Sequence, residues 1–273
     1  MHVGAHGNSL LIYLYRLYVG DMNTAPLSIL DRVIFRDGLV LIIDKPAGMP
    51  VHGGPGGGDN LELYFEALRF GLRQSPALGH RLDRDTSGCL ALGRHRKGLR
   101  RLGRVFSEGL AEKTYWALVA GRPDQDQGQI NAPLLKISSA KRGWRMVVDH
   151  TDGKFARTDY QLIASDGAVS FLAFRPQTGR THQIRVHAAT LGCPIIDDPV
   201  YGAGKRAGGG MMQLHARRLV LPLYANKPKI VADAPPPPHM AARLDQLGWQ
   251  LPDDVPSGDA PSDDAPSDDA TGV

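Results

Sequence analysis

The chain carries only two cysteines, Cys89 and Cys193, among 273 residues. They form no C-x-x-C pair and no cluster with histidine, so neither a zinc site nor a disulfide framework is signalled. A reducing compartment fits that usage, and the cytoplasm is the expected location. Long apolar runs are missing as well. The longest, Leu10–Val19, is broken by Arg16 and falls far short of the roughly 20 residues that cross a bilayer. No basic segment precedes it and no A-x-A-like cleavage site follows, so it fails as a signal peptide. There is no Rossmann glycine fingerprint and no G-x-S-x-G elbow. Histidine pairs with metal-ligand spacing are lacking; His182 and His187 are five apart and fall on different helix faces. The expectation is a protein with no cofactor, no metal and no membrane partner.

What is present is charge, unevenly spread. The net charge is +4, but residues 251–273 hold seven aspartates and no lysine or arginine. Setting those seven negative charges aside raises the net charge of residues 1–250 to +11. A body that basic suits a polyanion such as RNA, DNA or an anionic membrane surface. A solvated basic face without a specific ligand explains the charge equally well.

Three regions are expected. Residues 1–27 form an N-terminal extension, and Met22, just before the first patterned strand, is the expected start. Residues 28–250 form one folded domain. Residues 251–273 repeat Pro-Ser-Asp-Asp-Ala, contain almost no large apolar side chains, and are expected to be disordered. Within the domain, Ser28–Phe35 and Leu39–Asp44 flank Arg36-Asp37-Gly38, a hairpin signal. The glycine-rich stretch Gly53–Gly58 lacks a following Gly-Lys-Ser/Thr and reads as a mobile loop. Asn60 is placed to cap a helix through Phe70. Gly88–Gly93 reads as a short buried strand. Lys97–Ser107 is an amphipathic helix with Leu99, Leu102, Val105 and Phe106 inward and Arg100, Arg101 and Arg104 outward, stopped by Gly109. Lys113–Gly121 is apolar on both sides, hence a central strand. Trp144–Asp149, Ala156–Ala164, Ser170–Arg175 and Met211–Pro222 are further strands. Thr181–Leu191 and Met240–Leu247 are helices. This order predicts an α+β fold built on a mixed, mostly antiparallel sheet flanked by helices and loops.

Two dense constellations carry the chemistry. Gly79–Gly88 holds His80, Arg81, Asp83, Arg84 and Asp85, closed by Thr86 and Ser87. Arg175–His187 holds Arg180, His182, Arg185 and His187 around a helix N-terminus, where backbone N–H groups favour anions. An aspartate beside arginine is favoured in its charged form. Such a carboxylate suits attack on an electron-poor sugar carbon, and arginines hold phosphates by paired hydrogen bonds. Taken without further context, the same residues also fit a structural salt-bridge network around a turn.

Five blocks in order decide between these readings. Leu41–His52 contains Asp44-Lys45-Pro46-Ala47-Gly48; His80–Gly88 reads H-R-L-D-R-D-T-S-G; Lys113–Gly121 reads K-T-Y-W-A-L-V-A-G. Thr178–His187 reads T-G-R-T-H-Q-I-R-V-H, followed by Pro194–Asp198 and Tyr201-Gly202, and Leu214-His215-Ala216 closes the set. Together these resemble the RluA-type pseudouridine synthases over about residues 30–224.

The resemblance implies the pseudouridine synthase catalytic fold with a central active-site cleft. Many relatives carry a small N-terminal S4 RNA-binding domain; residues 1–27 are too short for one and show no such pattern, so the stand-alone catalytic form is expected. It implies isomerisation of uridines in structured RNA, ribosomal or transfer, without cofactor. Asp83 is the expected nucleophile, Tyr115 is expected to lie against the flipped uracil, and Arg185 is expected to pair with Asp83. Arg81 is expected to fill the space the extruded nucleotide leaves, and Leu82, Thr86, Arg180 and His182 to bind substrate. Asp85 falls at a variable position of the matched pattern and is read as a helper or surface charge. No catalytic role is expected of His52, His80, His182, His187 or His215. RNA is the expected partner, not DNA, and a monomer the expected state. Lys97–Ser107, with Lys141, Arg142 and Arg145, is a candidate track for the RNA backbone. The rivals are a non-catalytic RNA-binding protein on the same scaffold and a hydrolase that releases free uracil.

Overall fold

In a computed structural model, residues 28–54, 57–139, 143–202 and 210–252 are described. Residues 1–27 and the tail from 253, and with them Met22, lie outside the described residues, as do Lys141 and Arg142.

The first hairpin forms where Asp37-Gly38 places it. Asp37 Oδ1 accepts from the backbone N–H groups of Leu39 and Val40 at 2.7 and 2.8 Å, the aspartate side chain acting as its own turn template. Strands β1 (Val33–Arg36) and β2 (Val40–Lys45) pair antiparallel across it. The strand begins later than the sequence suggests, because Leu30–Arg32 forms a single 3-10 turn. Next come a 3-10 helix, Leu61–Arg69, and strands β3 (Ala77–Leu78) and β4 (Ser87–Gly93). Asn60 does not cap that helix; its Nδ2 donates to the Gly58 carbonyl at 3.0 Å instead.

Helix α1 (Arg96–Ser107) is followed by β5 (Glu112–Ala120), β6 (Gln127–Asn131), β7 (Leu134–Ser139), β8 (Gly143–Val148), β9 (Arg157–Ser165) and β10 (Val169–Pro176). Helix α2 (Gln183–Thr190), β11 (Leu214–Leu221), β12 (Ile230–Asp233) and α3 (Pro238–Gln246) complete the order. Strands β6, β7 and β12 escape the sequence pattern. β6 reads Gln-Gly-Gln-Ile-Asn and buries only Ile130, so it shows no alternation to detect.

Ten strands form one sheet along the path β1-β2-β4-β11-β5-β10-β9-β6, with β12 beside β11 and β3 beside β4. Every pair in it is antiparallel except β4 with β11. Strands β7 and β8 make a separate two-stranded sheet. Period-2 alternation divides each central strand between two cores. In β5, Trp116 and Leu118 pack with Phe171, Met240 and Leu244 of the α3 side. Ala117 and Val119 pack on the other face with Phe174 of β10 and with Ile184 and Ala188 of α2. Burial on both faces is why this strand is apolar throughout. Likewise Val40, Ile42 and Ala91 face Leu102 and Val105 of α1, while Leu41, Ile43, Leu90 and Leu92 face Leu61, Phe65 and Leu82.

One outward arginine of α1 is misplaced by the sequence reading. Arg101 is half-buried, donates to the Leu223 carbonyl at 3.4 Å, and lies over the Tyr224 ring at 5.6 Å. Its long apolar stem lets it lie along the protein while the charge stays at the edge. Gly98 of the same helix faces β2's turn, and a Cβ there would sit 2.1 Å from the Leu39 carbonyl oxygen.

Candidate active site

The loop between β3 and β4 carries His80 to Thr86 and is pinned from several sides. His80 is stacked on Phe106 with ring centroids 4.4 Å apart, and its Nε2 accepts from the Ala91 N–H at 3.0 Å. Burial drives its pKa down to about 3, so the ring is neutral and structural. Leu82 is buried among Leu41, Ile43 and Leu61. Thr86 is buried and its N–H donates to the Asp83 carbonyl at 3.2 Å. Ser87 Oγ and His215 Nδ1 are 2.9 Å apart, and the other His215 nitrogen meets the Ala234 carbonyl at 3.1 Å. Gly88 then crosses so close to β11 that a Cβ would lie 2.3 Å from the Ala216 carbonyl oxygen, at φ +105°. Only glycine allows that approach.

Lys45, to which the sequence reading gave no role, is a further anchor. It is fully buried, and its ammonium donates to the carbonyls of Pro46, Met49 and Arg84 at 2.7, 2.8 and 2.9 Å. Burial pulls its pKa down to about 7, against the charges of Asp85, Asp83 and Asp44. Three acceptors for three hydrogens favour the ammonium form. Through Arg84 this residue ties the end of β2 to the residue beside Asp83.

Asp83 emerges from this frame with 19% of its side chain exposed. Arg185 Nη1 donates to its Oδ2 at 3.2 Å. The rest of that guanidinium is occupied: Nε and Nη2 donate to the two carboxylate oxygens of Asp198 at 2.7 and 2.8 Å. Asp198 also accepts from the N–H groups of Val200 and Tyr201 at 2.8 and 3.0 Å. Burial works against both charges. For Arg185 the bonds to Asp198 and the nearness of Asp83 outweigh it and hold the guanidinium above its ordinary value. For Asp198 the bonds from Arg185 and the two N–H groups outweigh it and hold the carboxyl below its ordinary value. A fork with two arms fixed can present its third in one direction only.

His182 completes the group. It sits at the start of α2 in the left-handed region, φ 54°, which is why the helix begins at Gln183 and not at Thr181. The Tyr201 oxygen accepts from the Met146 N–H at 2.9 Å and lies 2.9 Å from His182 Nδ1. A Tyr201 hydroxyl that donates to Nδ1 leaves Nε2–H turned toward Asp83 Oδ2, 3.7 Å away. Burial lowers the His182 pKa despite Asp83. Gln183, also missed, is buried and holds the preceding loop. Its Oε1 accepts from Thr178 Oγ1 and the Arg180 N–H at 2.7 and 2.9 Å. The sequence blocks contained Lys45, Gln183, Asp198 and Tyr201, but only their contacts distinguish them from neighbours.

The remaining expected residues separate. Tyr115 packs between two cores, against Ala117 and Phe174 on one side and Leu82 and Ala216 on the other. Burial, then the charge of Asp83, raises its hydroxyl pKa above the ordinary value. Arg81 is exposed and lines an open hollow of about 370 Å³ with His52, Glu62, Leu78, Gly79 and His80. Asp83 stands two residues beyond that hollow and does not line it. Arg180 is exposed and donates to the Phe155 carbonyl at 3.0 Å. Asp85 forms a two-bond pair with Arg84, both at 3.1 Å. Among the described residues, no group of three or more His, Cys, Asp or Glu could hold a metal ion, and no helix is long and apolar enough to cross a membrane.

The family model for RNA pseudouridylate synthases matches residues 39–190. The chain belongs to that family. The match spans both constellations and most of the sheet. An uncharacterised RNA pseudouridine synthase of Zymomonas mobilis is 51% identical over 207 residues, covering 76% of this chain and 94% of that relative. The ribosomal large subunit pseudouridine synthase C of Vibrio cholerae is 35% identical over 228 residues, covering 79% of this chain and 69% of its own. The structure of human RNA pseudouridylate synthase domain containing 4 aligns with a TM-score of 0.69 over 82% of this chain and 96% of that one, at 23% identity. The protein is thus an RNA pseudouridine synthase of the RluA type, an isomerase, on the mostly antiparallel sheet of that fold. Its substrate is RNA.

Proposed function

We propose that this synthase converts uridine to pseudouridine in ribosomal RNA of the large subunit, with Asp83 as the carboxylate that opens the glycosidic bond. The ribosomal assignment is supported by relatives named for the large subunit, such as that of Vibrio cholerae. The observation that carries the assignment to Asp83 is its 3.2 Å pairing with a guanidinium whose other arms are locked on Asp198. That arrangement keeps a negative oxygen oriented at a partly exposed position, next to a loop that contributes Arg81 and Leu82.

The target cannot react inside a stacked helix, so the uridine is extruded first. Arg81, exposed and unburdened by packing, occupies the gap. Asp83 either attacks C1′ or removes a proton from C2′, and the C1′–N1 bond breaks. The freed uracil turns against Tyr115 and C5 bonds to C1′: on the first route C5 displaces the Asp83 oxygen from C1′, and on the second C2′ regains the proton Asp83 took. The C5 proton then leaves and N1 takes up a proton. Leu82 and Tyr115 keep water from the uracil. His182 and Arg180 bind the flanking RNA, and Thr86 supports the turn beneath Asp83. Residues 28–250 act as the catalytic domain, with residues 1–27 and 251–273 as appendages. The enzyme works in the cytoplasm as a monomer, which light scattering checks.

The test uses total RNA labelled with tritium at uracil C5, from a strain lacking this protein. Pseudouridine formation releases that tritium to water. Asp83→Asn is expected to release none, and Asp85→Asn to keep much of the activity. Equal loss in both variants, or activity in Asp83→Asn, refutes the assignment. Release of free uracil identifies a hydrolase instead. Mapping the product to transfer RNA refutes the ribosomal reading alone.

A further inference from the structure

We propose that Trp144, backed by His182, is a stacking platform for the nucleobase next to the extruded uridine, with Lys136 meeting that nucleotide's phosphate. The proposal rests on Asp83 being the reacting carboxylate and adds a binding subsite beside it.

The hairpin of β7 and β8 is anchored by Leu134 and Met146, which pack with Ala156 and Val186. Trp144 lies two residues from Met146 on the same face of β8, where the anchoring contacts end. It keeps 44% of its surface exposed. The other tryptophans do not: Trp116 is 1% exposed, and Trp249 packs against the cluster of Met240 and Leu244. An indole left in water forgoes the largest apolar burial of any side chain, so its position invites a partner.

What Trp144 touches indicates the partner's chemistry. Its ring is stacked on His182, centroids 4.9 Å apart and planes 27° off parallel. The Lys136 ammonium lies 4.7 Å from the indole centroid. At the edge of the same imidazole, His182 Nε2 is 3.7 Å from Asp83 Oδ2. The indole thus covers a face of the ring whose edge meets the reacting carboxylate, which suits a nucleotide beside the target and not the target itself. A nucleobase offers the flat face that an indole binds, in a sequence-tolerant way that favours the larger purines. Lys136 is exposed and sits on a flexible stem, so an incoming base displaces its ammonium onto the phosphate.

Two measurements test this. The first is steady-state tritium release from the C5-labelled total RNA by wild type, Trp144→Phe, Trp144→Leu and Trp144→Ala. Trp144→Ala is expected to raise KM about tenfold with kcat within about twofold. Trp144→Phe should recover most of the loss and Trp144→Leu little, because leucine has no π-face. The second is tryptophan fluorescence at low salt with a 12-residue oligoadenylate and an abasic oligomer of equal length and charge. Oligoadenylate should quench the wild type, the abasic oligomer should not, and Trp144→Phe should lose the quench. An unchanged KM in Trp144→Ala, full recovery by leucine, or equal quenching by both oligomers overturns the subsite. Failure of the wild type to release tritium would instead sink the function above, while the fluorescence still judges the platform.

Discussion

Replacing Asp198 by asparagine isolates the charge that fixes the active-site arginine. Asparagine has the same shape and keeps an oxygen for the Val200 and Tyr201 N–H groups. What disappears is the negative charge facing Nε and Nη2 of Arg185, a guanidinium whose side chain is 5% exposed. Removing one partner of a buried ion pair costs about 3–5 kcal/mol. In a domain of this size each kcal/mol lowers Tm by about 2–4 °C, so a drop of at least about 6 °C is expected. Freed from Asp198, the guanidinium no longer points one arm at Asp83, and kcat should fall at least tenfold. The effect carries a pH signature. The folded Asp198 carboxyl lies below its ordinary value, so its contribution is complete above the unfolded pKa of about 4 and is lost as pH falls through that value toward the folded one. Urea unfolding of both proteins from pH 7 to 3 measures it. The gap between them should be widest at pH 7 and narrow on acidification. A gap below about 1 kcal/mol at pH 7, or one that does not narrow, would refute the reasoning.

Gly88→Ala puts a methyl group against the Ala216 carbonyl at a positive φ, and should destabilise by more than about 3 kcal/mol or prevent folding; thermal unfolding reads this, and a change under 1 °C contradicts it. Burial pushes the Asp44 carboxyl up to about 6 in spite of Arg32 and Lys45. Since the folded state holds that proton more tightly than the unfolded one, wild-type stability should decline by up to about 3 kcal/mol between pH 4 and 7 from this group. Asp44→Asn should remove that part of the slope in urea titrations, and an unaltered slope would assign it elsewhere. Tyr201→Phe removes the hydroxyl that bonds the Met146 N–H and His182 Nδ1; since His182 is proposed to bind RNA, KM should rise about fivefold, the worth of about 1 kcal/mol, with a smaller change in kcat. An unchanged KM would show that the His182 orientation does not matter.

Much of the fold was written locally. Asp37-Gly38 set the first hairpin, the apolar stripe of residues 99–106 set α1, and the doubly apolar run at 113–121 set a central strand. These signals are legible because each is a periodicity or a turn residue acting within a few positions. β6 and β12 were not: β6 buries only Ile130, and β12 alternates in burial over just four residues, with an apolar valine on its exposed side. Arg101 was read outward because charge alone says nothing about where a four-atom stem lies.

The site divides along the same line. The residue types the chemistry needs are legible along the chain, because the H-R-L-D and H-Q-I-R blocks carry the carboxylate and the guanidinium. The resemblance already paired Arg185 with Asp83, and folding supplies that contact at 3.2 Å across 102 residues of chain. What no pattern along the chain announced is the part played by Asp198, which fixes the fork, and by Lys45, which ties the loop from below. Such roles depend on distance and burial between segments remote in sequence. A linear pattern carries the identities of those residues, while the energy of their meeting exists only once the sheet has brought β2, β4 and α2 together.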